Sequence, residues 1–169
     1  MDKTTERLVG YTSHFSEAEL TESALAKATD IVVDSMACAV AGAGSEPAAM
    51  VAKVAQRVQG TPSATVFGFG FQTSPDLAAL ANSMMVRTYD YNDAYFGHPS
   101  DMIPGVLAAA EIVRAPGLQT LTAIALAYEI YGAFERSAPR VKSGFDQGTF
   151  MNVGVALAAG KLWGLTEDQ

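Results

Sequence analysis

Thr21-Glu22-Ser23-Ala24-Leu25-Ala26-Lys27-Ala28-Thr29-Asp30-Ile31-Val32-Val33-Asp34-Ser35-Met36-Ala37-Cys38-Ala39-Val40 carries the clearest architectural signal in the chain. Thr21 and Glu22 are helix-start signals, Gly42 and Gly44 stand just past the far end, and the apolar spacing between them fits a helix. From Ile31 to Val40 the segment is apolar almost all round. A helix of that kind is normally enclosed by other helices, so the reading is an all-α bundle with this element near its centre.

Working outward toward the C-terminus, Pro47 suits a first helical position, and Met50, Val51, Val54 and Val58 continue a helix until Gly60. Thr61 to Gly70 mixes β-branched and aromatic residues with glycines, which reads as a loop holding a short extended piece. Ser74-Pro75-Asp76 then opens a helix through Leu77, Leu80, Ala81, Met84 and Met85. Val106 to Val113 and Leu121 to Phe134 keep helical spacing on either side of Pro116-Gly117, and a last helix is expected from about Phe150 to Trp163. Thr166 and Gln169 have the spacing of a capping box, a start signal with no helix behind it, so the chain is expected to be one all-helical domain, 1–169, truncated ahead of more protein.

Composition bounds the partners. Apolar residues are 49% and charged residues 17%, enough for a full core and too little charge for disorder. A net charge of −7 with no run of Lys or Arg makes nucleic acid an unexpected partner, while leaving small anions open, because a pocket needs only a few well-placed cations. No apolar stretch reaches the roughly 20 residues of a membrane span, and Met1 to Arg7 lacks a basic-then-apolar signal pattern, so no membrane partner is expected and the expected location is the cytoplasm. Cys38 is the single cysteine, which rules out an internal disulfide and a cysteine-rich metal site, and is expected buried and inert. His14 is read as lining a surface helix, and Tyr128 and Tyr131 as core residues with hydroxyls at the edge.

The densest polar cluster runs from Arg87 through Thr88-Tyr89-Asp90-Tyr91-Asn92-Asp93-Ala94-Tyr95-Phe96-Gly97-His98-Pro99-Ser100 to Asp101. If the preceding helix persists, Asp90 and Asp93 share a face, and Gly97 permits a turn that brings His98 toward them. Two carboxylates and an imidazole suit proton transfer. The alternative is a solvated loop whose Asp and Ser residues cap helix ends, with Asp101 expected to cap the helix that follows. A divalent metal needs more ligands than this segment offers, so no metal site is expected. No G-x-S-x-G, G-x-x-x-x-G-K-[ST], H-E-x-x-H or C-x-x-C occurs, which removes the usual hydrolase, kinase and zinc-enzyme signatures.

Asn82-Ser83-Met84-Met85-Val86-Arg87, Asp90-Tyr91-Asn92-Asp93 and His98-Pro99-Ser100-Asp101 together resemble the 2-methylcitrate dehydratase branch of the MmgE/PrpD family. The helix Asp34 to Gly42, Ala127-Tyr128-Glu129-Ile130 and Gly160-Lys161-Leu162-Trp163-Gly164-Leu165 resemble further family segments in the expected order. The resemblance implies a helical domain of a longer homodimeric enzyme with a following α+β domain. It also implies cofactor-independent acid/base chemistry beside a carboxylate, as in dehydration of 2-methylcitrate, decarboxylation of cis-aconitate or epimerisation of iminodisuccinate.

By motif position, Asp90 and His98 match the family's active-site acid and histidine, with Asp93 in the same stretch. Arg87, Ser100, Gln147 and Lys142 are the candidate substrate-binding residues for a small polycarboxylate, with Arg140 a further cation. Ala94 stands where relatives often carry threonine, the interval before His98 is short, and Gln147 occupies the region of a second family histidine. Gln147 hydrogen-bonds but does not transfer protons near neutral pH. The competing expectation is a non-catalytic helical remnant or dimerisation module.

Overall fold

A computed structural model describes residues 2–138 and 144–169. Among them, α1 (Lys3–His14), α2 (Glu22–Gly42), α3 (Glu46–Ala55), α4 (Pro75–Arg87), α5 (Ile103–Val113), α6 (Gly117–Ser137) and α7 (Gly148–Leu162) make the domain all-α. Strands β1 (Ala64–Val66) and β2 (Phe71–Thr73) form an antiparallel hairpin in which Ala64 pairs with Thr73 and Val66 with Phe71. The extended piece expected between Thr61 and Gly70 is therefore the first arm of this hairpin. Buried Asn82 on α4 holds it by accepting the Phe67 amide and donating to the Thr65 carbonyl, both at 2.9 Å. Glu111 on α5 accepts the Thr65 amide at 2.8 Å and the Thr65 hydroxyl at 2.5 Å.

Local chemistry sets the helix ends. The Thr21 hydroxyl accepts the Ala24 amide and caps α2, and the Ser45 hydroxyl accepts the Ala48 amide ahead of Pro47 in α3. Helix α1 is polar on average and begins on a strong cap, with the Asp2 carboxylate accepting the Thr4 and Thr5 amides. Gln169 Oε1 accepts the Thr166 amide at 3.0 Å, which is the side-chain half of the capping box read from the sequence.

Helix α2 is not the centre of the bundle. It packs on α4 through Ser35, Ala39 and Gly42, while Val33 and Val40 are 63% and 76% exposed. Gly42 lies inside the helix rather than beyond it, and a Cβ there would stand 2.1 Å from the Met85 carbonyl oxygen, so the small residue permits the crossing of α2 and α4. The central element is α6, which buries Ile124, Leu126, Ala127, Ile130 and Tyr131 and packs chiefly against α7. An all-round apolar run does not show which helix its neighbours will enclose; here Ser35, Ala39 and Gly42 face inward, Ile31 and Val32 pack at the edge of a core, and Val33 and Val40 face out.

The buried side chains form two main cores. Ala39, Ala48, Val66, Ala81, Met85 and Val86 join α2, α3, the hairpin and α4. Met102, Ile103, Val106, Ile124, Tyr131 and Met151 join α5, α6 and α7. The chain from Thr88 to His98 crosses from one core to the other. Its ends are thus anchored by Met85 and Val86 on one side and by Met102 and Ile103 on the other.

Candidate active site

Helix α4 stops at Arg87, and the Asp90 amide donates to the Arg87 carbonyl at 3.0 Å. Asp90 then adopts φ 53°, a left-handed conformation that aspartate tolerates better than most residues. The helix therefore does not persist to Asp93, and the two aspartates do not share a helical face. The turn sends their carboxylates to different partners.

Asp90 pairs with the two basic groups of the cluster. Its Oδ1 lies 2.6 Å from Arg87 Nη1 and 3.2 Å from His98 Nε2. Arg87 Nη1 has no aligned hydrogen-bond acceptor among the described residues, so its contact with Asp90 is charge pairing rather than a directed bond. The Asp90 side chain is 69% exposed, and the pair alone adds only about 0–1 kcal/mol to stability. His98 Nδ1 is buried with no hydrogen-bond partner among the described residues.

Asp93 is held within the fold. Its Oδ1 accepts the Ser100 amide at 3.0 Å and a short bond from the Ser100 hydroxyl, while Oδ2 accepts the Tyr128 hydroxyl at 2.8 Å. Asn92 donates to Ser100 Oγ at 2.7 Å and to Asp101 Oδ1 at 2.9 Å. Ser100 is fully buried in the short 3-10 turn Pro99–Met102 that leads into α5, so its hydroxyl serves Asp93 and Asn92.

Asp101 caps no helix; neither the 3-10 turn nor α5 has a side-chain cap. It lies 3.7 Å from Arg87 Nε, and burial raises its carboxyl above the usual range against the opposing pull of Arg87. Burial, reinforced by the charge of Asp93, pushes the Tyr128 phenol far above its ordinary value, so this hydroxyl remains a donor. Cys38 is half-buried, and burial followed by Asp34 raises its thiol.

Gln147, at the start of α7, accepts the His98 amide through Oε1 at 3.0 Å. Gly97 permits this approach, since a Cβ there would stand 2.3 Å from that oxygen and 2.8 Å from the Tyr131 hydroxyl. Lys142 and Arg140 lie outside the described residues. The structure thus brings together Arg87, Asp90 and His98, places Asp93 with Ser100, and sets Gln147 against the His98 backbone.

Asp93 also lines a cleft of about 640 Å³ with Lys27, Asp34, Tyr128, Glu129 and Arg136, and neither Asp90 nor His98 is among its walls. A larger cleft of about 840 Å³ runs between α1 and α6 and touches none of the candidate residues. Among the described residues no group of three or more His, Cys, Asp or Glu side chains gathers to hold a metal ion, and no helix is long and apolar enough to cross a membrane. Sequence reasoning missed Tyr128 and Asn92 as parts of this network. Tyr128 is 35 positions from Asp93, and its only signal was its place in the segment Ala127-Tyr128-Glu129-Ile130.

With this geometry in view, the sequence comparisons define the class. Residues 6–169 match the MmgE/PrpD N-terminal domain, and the chain belongs to the MmgE/PrpD family. Among its relatives, the 2-methylcitrate dehydratase-like protein oryR of Aspergillus oryzae is 29% identical over 166 residues, covering 87% of this chain and 34% of that protein. Cis-aconitate decarboxylase of Aspergillus terreus is 26% identical over 179 residues, covering 97% of this chain and 36% of the enzyme. The 2-methylcitrate dehydratase of Escherichia coli is 35% identical over 118 residues, covering 60% of this chain and 24% of the enzyme. The chain spans about a third of the length of the first two.

Proposed function

We propose that this chain supplies the acid/base residues of a lyase that dehydrates a small polycarboxylate such as 2-methylcitrate, without a cofactor. In the elimination, a proton leaves the carbon beside a carboxylate, the adjacent C–O bond breaks, and hydroxide departs as water after receiving a proton. Asp90 and His98 form the pair between which these two transfers are divided. Arg87 adds a positive charge that suits a substrate carboxylate.

The observation carrying this reading is the contact of His98 Nε2 with Asp90 Oδ1 at 3.2 Å, beside Arg87. Family membership supports the reaction class. The second reading, decarboxylation of cis-aconitate, is favoured by the alignment with the Aspergillus terreus decarboxylase, which covers 97% of this chain against 60% for the Escherichia coli dehydratase.

Incubating the protein separately with 2-methylcitrate and with cis-aconitate tests both. Dehydration is read as ultraviolet absorbance of the new C=C bond conjugated to a carboxylate, and decarboxylation as released CO2. The proposal expects the unsaturated acid from 2-methylcitrate. CO2 from cis-aconitate without that product moves the assignment to the second reading, and neither signal removes both. A homodimer, also proposed, draws on the exposed Val33 and Val40 of α2 and Met50 and Val54 of α3, and light scattering at twice the mass of the chain is its expected signature.

A further inference from the structure

We propose that Tyr128 is a positioning residue for His98, acting through Asp93 and Ser100. The proposal rests on the reading of His98 as an acid/base group and adds what orients it.

Tyr128 stands on α6, the central helix of the domain, and its ring packs against the core that contains Met102, Ile124 and Tyr131. Its hydroxyl donates to Asp93 Oδ2 at 2.8 Å. The other Asp93 oxygen accepts both the amide and the hydroxyl of Ser100, so three donors from two elements converge on one carboxylate. Such charge-assisted bonds are roughly twice as strong as neutral ones, which makes Asp93 a clamp between α6 and the turn that follows His98.

Ser100 is only two residues beyond His98, and the intervening Pro99 is buried with its φ fixed by the ring. On the near side, Gln147 holds the His98 amide. The His98 backbone is therefore held from both directions, by Gln147 from α7 and by Tyr128 through Asp93 from α6. The backbone from which the imidazole reaches Asp90, 3.2 Å from its Nε2, is thereby fixed in place. The three donors account for Asp93 as an anchor, leaving proton transfer to the Asp90–His98 pair.

Tyr128→Phe tests this by removing one oxygen while keeping the ring. The chain has two histidines, His14 and His98, so imidazole nitrogen resonances are assigned by comparison with His98→Gln. Tyr128→Phe is expected to move the His98 nitrogen signals, leave those of His14 in place, and speed hydrogen exchange of the Ser100 amide about tenfold, the equivalent of one lost charge-assisted bond. Unchanged His98 signals in a folded Tyr128→Phe protein overturn the proposal, even if Ser100 exchanges faster.

Should Tyr128→Phe lose its fold, Asp93→Asn is read on the same His98 signals with the same two outcomes. Because this readout needs no turnover, it separates the two levels. Moved His98 signals in a protein inert toward both acids keep the clamp and sink the reaction, whereas unmoved signals in an active protein do the reverse.

Discussion

Replacing Gly97 by alanine puts the packing around His98 to a quantitative test. The added Cβ would stand 2.3 Å from Gln147 Oε1, 2.8 Å from the Tyr131 hydroxyl and 3.1 Å from Gln147 Cβ. Gln147 is the more mobile neighbour and must withdraw, which breaks its bond from the His98 amide. Overpacking of this kind costs about 1–3 kcal/mol and the lost bond about 1 kcal/mol, so Gly97→Ala is expected to destabilise the protein by about 2–4 kcal/mol. For a domain of this size that lowers Tm by roughly 4–16 °C. Urea unfolding gives the free energy directly. Combining Gly97→Ala with Gln147→Ala removes one side of the clash, and the double variant is expected to be at least about 1 kcal/mol more stable than the sum of the single effects predicts. Tyr131 is fully buried and keeps the recovery incomplete. A Gly97→Ala protein within about 0.5 kcal/mol of the parent, or strictly additive effects, refutes the close approach on which the argument depends.

Two further outcomes follow from buried polar groups. Asn82→Ala strands the Phe67 amide and the Thr65 carbonyl beneath the hairpin, and a loss of about 2–4 kcal/mol in urea unfolding is expected, with faster amide exchange at Phe67; a loss under about 0.5 kcal/mol contradicts the role given to Asn82. Asp101 has its folded pKa raised above the ordinary 3.8, chiefly by burial, so in the window above 3.8 the folded state binds more protons than the unfolded one. Its contribution to stability is complete below that window and is lost as pH rises through the folded value. Asp101→Asn is expected to reduce this decline in unfolding free energy with pH, and an identical slope in parent and variant counts against it.

How much of this was legible in the sequence differs between fold and site. Helices α2 to α7 announced themselves through apolar spacing and punctuation such as Ser74-Pro75 and Pro116-Gly117. Helix α1 showed only in the surface helix read at His14, because it is polar on average; the Asp2 cap sets its start and its end docks on α7, where Lys161 Nζ reaches the Thr12 carbonyl at 3.0 Å. The polar cluster was visible as a unit, but its internal geometry was not. One left-handed residue, Asp90, separates two aspartates that helical spacing would have placed together. The partners of Asp93 and His98 then arrive from α6 and α7, at separations of 35 and 49 positions, where no local pattern signals a contact.

The most direct test of the acid/base pair is kcat on 2-methylcitrate at saturating concentration for the parent, Asp90→Asn and His98→Gln, each checked for an unchanged Tm. Loss of a positioned acid or base typically costs about 100- to 10,000-fold, and a fall of that size in both variants is expected. A kcat within twofold of the parent in either would remove that residue from the chemistry and contradict the account.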